Sequence, residues 1–238
     1  MKITILENEN DFDREAAARV SRQILVKPDS LIGLATGNTT IGIFNWMIKF
    51  HKELGIDYSE AKTCNLDEYV GIAPDDKRGC RYRVDQALLN HINIQYKNTY
   101  VPDGRNEPEN ELKVFKDTVE KFGGIDLQIL SIGTNGHIAF NEPGTPFEST
   151  YRIAPISQNT IEDKAGMFGG RESVPRFGLS MGIRDIMAAK KILLVAKGQS
   201  KAPVIKKILS GVLTTDVPAS VLLLHPCLEI IIDRQAAG

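Results

Sequence analysis

The chain has 238 residues, of which 42% are hydrophobic and 25% are charged, and its formal net charge at pH 7 is −1. This balance is typical of a globular protein with one sizeable core, and the near-neutral charge argues against a general role in binding nucleic acid or membrane surfaces. No apolar run approaches the roughly 20 residues that span a bilayer, and the amino-terminal apolar stretch is too short for a signal peptide, so we expect a cytoplasmic protein with no membrane partner.

Helix-like and strand-like segments alternate along the first half of the chain. Asp11 is predicted to cap a helix because apolar residues follow it at a spacing of four, and Pro28 and Asp29 end that helix. The predicted elements that follow are a strand over 31–35, a helix from about 41, a strand over 61–67, a helix over 82–92, a strand near 99–101 and a helix over 108–122.

The same alternation continues to the carboxyl-terminal end. The predicted elements there are a strand over 125–132, a strand over 191–196, a helix beginning at 200–201 and a strand over 229–233. Strands separated by helices indicate a parallel sheet that is covered on both faces. We therefore predict an α/β fold, a three-layer α/β/α, Rossmann-like and mostly parallel sheet, in a single domain over 1–238. The Pro/Gly-rich segment 141–147 is too short to divide domains and is interpreted as an active-site loop.

The cysteines and three of the four histidines suggest no chemistry of their own. The cysteines are odd in number and far apart, so we expect free thiols in a reducing compartment rather than a disulfide or zinc framework. His51 and His91 lie on predicted helices, and His225 precedes a proline, so all three are expected to be structural. The three cysteines are Cys64, Cys80 and Cys227.

Two loops that connect strands to helices are candidate anion sites. The loop over residues 36–40 precedes a helix amino terminus, where free backbone N–H groups and the helix dipole favour a phosphate. It lacks the Lys-Ser/Thr of a Walker A loop and the GxGxxG fingerprint, so an ordinary threonine-capped helix start stays open as the alternative. Lys201 ends the second loop and could reach the same phosphate, although a lone lysine there is more often a solvated charge. The candidate phosphate-binding residues of the first loop are Thr36, Gly37, Asn38 and Thr39.

Asp67 and Glu68 follow a predicted strand, where a side chain can point into the crevice of an open sheet. Adjacent residues of an extended chain face opposite ways, so one carboxylate can act as a base while the other makes structural hydrogen bonds. A turn or helix-cap carboxylate is the alternative for either residue taken alone.

His137 lies in a glycine-containing run, residues 133–144, that follows another apolar strand. A carboxylate partner can hold an imidazole in one tautomer for proton transfer near neutral pH, and Glu142 is the candidate partner. Asn135 can hydrogen-bond to the ring but carries no charge. The spacing is not HExxH and no GxSxG elbow occurs, so a metal site and a serine hydrolase are weakly supported.

Five stretches of the sequence resemble the glucosamine-6-phosphate deaminase/isomerase family and keep the family's order from residue 34 to residue 226. The DEYVG and NGHIAFNEP runs are highly specific. The resemblance implies a three-layer α/β/α Rossmann-like sheet, which agrees with the alternation of predicted elements. The stretches are Leu34-Ala35-Thr36-Gly37, Leu66-Asp67-Glu68-Tyr69-Val70-Gly71, Asn135-Gly136-His137-Ile138-Ala139-Phe140-Asn141-Glu142-Pro143, Gly198-Gln199-Ser200-Lys201-Ala202 and Leu224-His225-Pro226.

The resemblance also implies residue roles. Asp67 matches the base that moves a proton between C2 and C1 of the opened sugar, and His137 matches the ring-opening acid/base with Glu142 as its partner. Asn135 stands where many members carry aspartate and is kept with these three as a catalytic candidate. The remaining candidates for binding substrate or phosphate are Thr36, Gly37, Asn38, Thr39, Lys201, Glu68, Arg152 and Arg171.

Departures from the family pattern leave the sugar open. Asn38 and Thr40 replace a glycine and a proline of the commonest phosphate loop, and Gly166 stands where many glucosamine members have a phosphate-binding arginine. Arg171 is the candidate replacement. A Gly-Arg pair in this neighbourhood, with the run 182–187, resembles the galactosamine-6-phosphate isomerases of the same family.

We therefore expect a deaminating aldose–ketose isomerase that converts glucosamine 6-phosphate to fructose 6-phosphate and ammonia. The alternatives are a galactosamine 6-phosphate enzyme that gives tagatose 6-phosphate, a 6-phosphogluconolactonase and a non-catalytic sugar-phosphate sensor. The expected partner is a small sugar phosphate, with no nucleic acid, cofactor or metal. The expected assembly is a monomer or a small homo-oligomer.

Overall fold

The computed structural model describes residues 1–238 as ten strands and eight α-helices. The strands are β1 (Lys2–Leu6), β2 (Leu31–Leu34), β3 (Lys62–Asn65), β4 (Asp67–Tyr69), β5 (Thr99–Tyr100), β6 (Leu127–Ser131), β7 (Arg152–Pro155), β8 (Phe177–Ser180), β9 (Ile192–Ala196) and β10 (Leu228–Asp233). The helices are α1 (Glu9–Val26), α2 (Asn38–Leu54), α3 (Cys80–Ala87), α4 (Pro108–Lys121), α5 (Gln158–Phe168), α6 (Ile183–Met187), α7 (Ala202–Leu209) and α8 (Arg234–Ala237).

Seven strands form one parallel sheet in the order β1-β10-β9-β6-β2-β3-β5. Successive side chains of the central strands face opposite layers of helices. In β6, Ile129 belongs to the apolar cluster that includes α1 and α2, whereas Leu130 belongs to the cluster that includes α4 and α7. Each fully buried aliphatic side chain of this kind contributes about 1.5–3 kcal/mol to folding. The predicted three-layer, Rossmann-like α/β fold is confirmed, and no helix is both long and apolar enough to cross a bilayer.

The order of the strands reverses between β2 and β6. After β2 the chain adds β3 and β5 on one side, and it then returns to place β6, β9 and β10 on the other side. Connections that leave in opposite directions open a crevice at the carboxyl ends of the two strands. The fold therefore brings the loop after β2 and the loop after β6 to the same crevice.

Three short strands form a second, antiparallel sheet in the order β4-β8-β7, which the sequence did not predict. The predicted strand over 61–67 is wrong at its end, because β3 stops at Asn65. The carbonyl of Leu66 accepts the backbone N–H of Met181 at 2.9 Å, and the chain then continues as β4 beside β8. Asp67 consequently lies on the small sheet, opposite Ser180.

Two predicted helix boundaries are wrong. Asn8, rather than Asp11, caps α1, since its side chain accepts the backbone N–H of Asp11 at 2.9 Å. The helix predicted over 82–92 spans Cys80–Ala87, and a 3₁₀ turn over Leu89–His91 replaces its last part. The earlier start of α3 matters for the site, because it brings Cys80 beside Asp67.

Candidate active site

A cleft of about 560 Å³ opens at the switch point of the main sheet. Its walls come from the segments that follow β2, β6 and β9, from β4, and from α3 and α5. A second cavity of about 390 Å³ lies at the opposite edge of the sheet, but it contains no histidine and its one carboxylate, Glu229, is paired with Arg19. The predicted site residues on the walls of the 560 Å³ cleft are Thr36, Gly37, Asn38, Thr39, Asp67, His137 and Lys201.

His137 lies in the loop after β6, and its ring lines the cleft. The imidazole Nδ1 is 2.7 Å from Oδ1 of Asn135 and 3.3 Å from Oε2 of Glu142. Both neighbours are acceptors, so this network assigns the proton to Nδ1 and leaves Nε2 as the acceptor of the neutral ring. Asn135 also donates its amide to Glu142 Oε2 at 2.8 Å. The structure therefore brings together the three residues that the sequence predicted, in an arrangement suited to proton transfer.

Glu142 is a buried carboxylate whose two oxygens are both hydrogen-bonded. Thr160 of α5 donates its hydroxyl to Oε1 at 2.6 Å, while Asn135 occupies Oε2. Burial by itself raises the pKa of Glu142, but His137 and these two hydrogen-bond donors outweigh it and lower the pKa to about 2. Glu142 is therefore ionised at neutral pH and is suited to stabilising an imidazolium at His137.

Gly133 provides the space for the imidazole. A Cβ atom built on Gly133 would lie 2.3 Å from Cε1 of His137, well inside van der Waals contact. The ring therefore lies against the backbone of residue 133, and any larger residue would displace it. Gly136, between these two residues, has a φ of 92°, a conformation that glycine adopts without strain.

Asp67 lines the cleft from the end of β4, whereas Glu68 does not. Burial raises the pKa of Asp67 to about 6, against the opposing effects of the Cys80 thiol and the positive charges of His137 and Lys164. Asp67 is thus a carboxylate of increased basicity that is largely ionised above pH 6. This is the property expected of a general base that works near neutral pH.

Glu68, predicted to bind substrate, is buried behind the wall of the cleft. Its carboxylate is only 1% exposed and accepts the backbone N–H groups of Tyr69 and Arg81 at 2.8 and 2.9 Å. Burial raises the pKa of Glu68 to about 7 in spite of these hydrogen bonds. Through these hydrogen bonds Glu68 connects β4 to the first turn of α3. Asp67 and Glu68 thus face opposite ways, with Asp67 in the cleft and Glu68 in a structural role.

The other end of the cleft, at the amino terminus of α2, has the features of an anion-binding site. Gly37 caps α2, and Thr40 receives the Gly37 N–H at 3.3 Å while donating to the carbonyl of Ala35 at 3.0 Å. The first backbone N–H groups of a helix have no partner within it, and Asn38 and Thr39, which begin α2, line the cleft at the positive end of the helix dipole. This geometry matches the predicted phosphate loop.

Two lysines add positive charge to the anion end of the cleft. Lys201 is half-buried on a 3₁₀ turn over Gln199–Lys201, which replaces the α-helix start predicted there. Burial lowers the pKa of Lys201, the charge of Asp163 opposes that effect, and the charge of Lys164 adds to it. Neither lysine is within 4.0 Å of a carboxylate, so both are free to pair with a bound anion.

Lys164 and Arg83 are cleft residues that the sequence analysis missed. The family resemblance implies a basic residue at position 166, where this chain has Gly166. Thr160 and Lys164 are one helical turn apart on α5, so the hydrogen bond of Thr160 to Glu142 implies that Lys164 faces the same cleft. The sequence alone does not show which face of α5 meets the cleft, so it carried no signal for Lys164.

Arg152 and Arg171 do not line the cleft, and their assignment to substrate binding stays a prediction. Arg152 donates to Thr145 Oγ1 at 3.1 Å and approaches the carbonyl of Phe140, so it braces the loop behind His137. Burial lowers its pKa. Arg171 is exposed on a 3₁₀ turn and pairs with Glu162 at 3.0 Å.

The remaining histidines and cysteines follow the sequence-based interpretation, with one exception. His225 is buried and its Nε2 is 2.8 Å from the carbonyl of Ala189, while His51 and His91 each contact a nearby carbonyl. All three cysteines are free thiols. Cys80 is the exception, because it lines the cleft. No cluster of three or more histidine, cysteine, aspartate or glutamate side chains that could hold a metal ion occurs.

Comparison with known families gives one match that covers most of the chain. The model of the glucosamine-6-phosphate isomerases/6-phosphogluconolactonase family matches residues 9–229. The chain belongs to this family. Membership agrees with the site, because four of the five stretches that carried the resemblance in the sequence supply residues that line the cleft at the switch point.

Similar members of the glucosamine-6-phosphate isomerases/6-phosphogluconolactonase family align over the whole chain. A glucosamine-6-phosphate deaminase of Thermoanaerobacter pseudethanolicus is 44% identical over an alignment of 239 positions that covers 100% of this chain and 94% of the relative. A glucosamine-6-phosphate deaminase of Clostridium botulinum is 41% identical and covers 100% of this chain and 98% of the relative.

Solved structures in the family divide into near and distant neighbours. A structure described as a monomeric glucosamine-6-phosphate deaminase has a TM-score of 0.97 and 36% identity, and the match covers 100% of this chain and 99% of the other. A 6-phosphogluconolactonase from Trypanosoma cruzi has a TM-score of 0.79 at 16% identity, with 99% of this chain and 95% of the other covered. The second likeness shows a shared fold only.

Proposed function

We propose that this protein is a deaminating aldose–ketose isomerase that converts glucosamine 6-phosphate and water to fructose 6-phosphate and ammonia. The observation that carries the proposal is that Asp67 and His137 line the same cleft as an anion site with two unpaired lysines. The full-length relatives at 40–44% identity are glucosamine-6-phosphate deaminases, which favours glucosamine over galactosamine as the sugar.

The phosphate of the substrate is held by the anion end of the cleft. The backbone N–H groups of Asn38 and Thr39 donate to its oxygens, and Lys164 and Lys201 balance its charge. Anchoring the phosphate fixes the rest of the sugar against Asp67 and His137. Orientation of this kind supplies much of the barrier reduction in reactions at a bound substrate.

Ring opening is assigned to His137. Its Nε2 takes the proton of the anomeric hydroxyl and returns a proton to the ring oxygen, so that the C1–O5 bond breaks and the aldehyde forms. The positive charge that develops on the ring is stabilised by Glu142, which is ionised in this environment. Asn135 holds Nδ1 at 2.7 Å and fixes the direction of Nε2.

Isomerisation is assigned to Asp67. The carboxylate takes the proton from C2, which gives an enolamine, and returns a proton to C1 on the same face of the sugar. Water then adds to the resulting C2 iminium, the C–N bond breaks and ammonia leaves. The carbon skeleton gains an oxygen at C2 from water and loses nitrogen, without net oxidation, so the sequence requires no redox cofactor.

The proposal extends to the assembly and the competing substrates. All the residues assigned to catalysis and phosphate binding belong to one chain, and the structural neighbour at 36% identity is described as monomeric, which supports activity as a monomer. The solved 6-phosphogluconolactonases of Trypanosoma cruzi and Thermotoga maritima are 16% and 17% identical to this chain, so they do not favour lactone hydrolysis. We assign the protein to the cytoplasm, as expected for an enzyme of sugar phosphates.

The test offers glucosamine 6-phosphate, galactosamine 6-phosphate and 6-phosphogluconolactone to the purified protein and measures ammonia, ketose phosphate and acid. We expect stoichiometric ammonia and fructose 6-phosphate from glucosamine 6-phosphate, and a turnover number lower by about 100- to 10,000-fold in Asp67→Asn. Absence of ammonia from glucosamine 6-phosphate overturns the proposal. Preferred turnover of the galactosamine substrate would retain the reaction and change the sugar.

A further inference from the structure

The carboxylate of Asp67 receives one hydrogen bond from a side chain, and the donor is a thiol. Sγ of Cys80 lies 3.5 Å from Oδ1 of Asp67, within hydrogen-bonding distance for sulfur. Cys80 is the first residue of α3, is 3% exposed and lines the cleft. Glu68 accepts the N–H of Arg81 at 2.9 Å, so the turn that carries Cys80 is fastened to the strand that carries Asp67.

The thiol of Cys80 acts as a donor rather than as a nucleophile. Burial raises its pKa well above the usual value, and the negative charges of Glu68 and Asp67 raise it further. A group of this kind keeps its proton at the pH at which an aldose–ketose isomerase works. An S–H group is a weak donor, so it can hold a carboxylate oxygen while withdrawing little of its basicity.

We propose that Cys80 is a positioning residue for the proton transfer at C2: its S–H group holds Oδ1 of Asp67 and leaves Oδ2 directed at the substrate. The proposal rests on the assignment of Asp67 as the base. It explains why a small thiol at the helix start is useful here, since a hydroxyl or amide donor would bind Oδ1 more strongly and weaken the base.

Other charged groups around Asp67 do not replace this contact. His137, Lys164 and Arg83 act on Asp67 through their positive charges, and each of these charges lowers its pKa. Glu68, next to Asp67 in the chain, is buried and titrates near pH 7. The hydroxyl of Thr36 is buried beside the thiol and makes no hydrogen bond to Asp67. Loss of the S–H group therefore leaves Oδ1 without a side-chain donor.

The experiment compares the pH dependence of kcat and kcat/KM in Cys80→Ala and Cys80→Ser. In Cys80→Ala we expect kcat to fall by about 5- to 50-fold, with KM within about twofold of the wild-type value. We also expect the acid limb of the pH–rate profile to move to higher pH, because Asp67 loses its hydrogen-bond donor. In Cys80→Ser the stronger O–H donor moves the acid limb to lower pH. Opposite shifts in the two variants are not expected if Cys80 only fills space.

Cys64→Ala is the matched control, because Cys64 is a fully buried thiol in β3 that makes no hydrogen bond to Asp67. We expect it to lose stability while keeping the acid limb of the wild-type protein. Circular dichroism and thermal unfolding show whether each variant folds. An acid limb and kcat in Cys80→Ala equal to those of the wild type overturn the proposal.

A second measurement works without turnover. The S–H stretching band of Cys80, isolated as the infrared difference between wild type and Cys80→Ala, is expected to move to higher frequency as the pH falls through about 6, where Asp67 takes up a proton. The band should lose this pH dependence in Asp67→Asn. A band that does not respond to pH overturns the hydrogen bond itself, whereas failure of ammonia release with a responsive band overturns the proposed reaction alone.

Discussion

Asp67 and Glu142 are carboxylates near the same histidine, yet their surroundings move their pKa values in opposite directions. At Asp67 burial prevails and raises the pKa to about 6. At Glu142 burial also raises the pKa, but His137, Thr160 and Asn135 together lower it to about 2. Divergent pKa values in one site divide the acid–base roles. Asp67 is thereby suited to exchanging a proton, and Glu142 to remaining a fixed negative charge.

The raised pKa of Asp67 implies a cost in stability. A carboxyl group whose pKa is raised on folding favours the folded state while it is protonated, and that contribution disappears as the pH rises from 3.8 through about 6. Asp67→Asn removes the charge, so we expect it to increase the free energy of unfolding by about 1–3 kcal/mol at pH 8 and by little at pH 4. Urea denaturation at both pH values measures this difference.

The control for Asp67→Asn is Asp117→Asn, because Asp117 lies on the exposed side of α4 away from the cleft. It should change the free energy of unfolding by less than about 0.5 kcal/mol at either pH. A pH-independent effect of Asp67→Asn would contradict the argument that a buried charge causes the cost.

Lys164 and Lys201 are expected to contribute mainly to substrate binding. Each supplies a charge-assisted hydrogen bond to phosphate, so Lys164→Ala and Lys201→Ala should each raise KM by about 10- to 100-fold, with a smaller effect on kcat. Arg171→Ala is the control, because Arg171 pairs with Glu162 outside the cleft. Steady-state kinetics with glucosamine 6-phosphate tests all three. A KM in Arg171→Ala as high as in Lys164→Ala would instead support the predicted role of Arg171 in binding the substrate.

The sequence predicts site residues that lie close together along the chain, and it misses those whose position depends on tertiary packing. The residues of the phosphate loop lie within a few positions of one another in the sequence, and so do those of the His137 network. Local spacing was therefore sufficient to group Asn135, His137 and Glu142. Lys164 escaped detection because its position depends on the rotation of α5 against the cleft, which no local motif records. The surroundings of Arg152 could not be predicted either, because its hydrogen bond to Thr145 depends on how the loop behind His137 folds.

At the scale of elements, the loop after β6 places His137 by close contact rather than by hydrogen bonds alone. Gly133→Ala puts a methyl group where the imidazole lies, 2.3 Å from Cε1 and 2.4 Å from Nδ1 of His137, so the ring has to move. We expect kcat to fall by at least about 100-fold as the ring is pushed out of line. Steady-state kinetics and the crystal structure of the variant measure both effects.

Gly166→Ala is the control for Gly133→Ala, since a Cβ at Gly166 meets no atom within 4 Å and that residue lies within α5. It should keep the wild-type kcat and increase stability by about 0.5–1 kcal/mol through helix propensity. If Gly133→Ala keeps the wild-type kcat and the His137 ring keeps its position, the loop after β6 accommodates the methyl group and the argument from close contact is wrong.

The main sheet was predictable because buried parallel strands are continuous apolar runs separated by amphipathic helices. The second sheet was not, because β4, β7 and β8 contain only three or four residues each and β4 pairs with β8 across more than 100 positions of sequence. Short strands with distant partners carry no periodic pattern. The start of α3 was also missed, since Cys80 and Arg81 are polar or small residues that do not signal a helix.

At the scale of the whole molecule, one chain supplies every group assigned to the reaction. The cleft is formed by segments on both sides of the β2–β6 switch point and by α5, all within residues 1–238. The neighbour with a TM-score of 0.97 is described as a monomer. Both observations support the proposal that the cleft functions without a second copy.

We expect this protein to be active as a monomer of 26.3 kDa. Light scattering coupled to size-exclusion chromatography should give that mass, and specific activity should stay constant on dilution, because a site built within one chain does not depend on association. Velocity against glucosamine 6-phosphate should be hyperbolic, since sigmoidal velocity generally requires coupled sites. Activity that falls on dilution below a dissociation constant, together with a larger mass at high concentration, would mean that a second copy stabilises or completes the cleft.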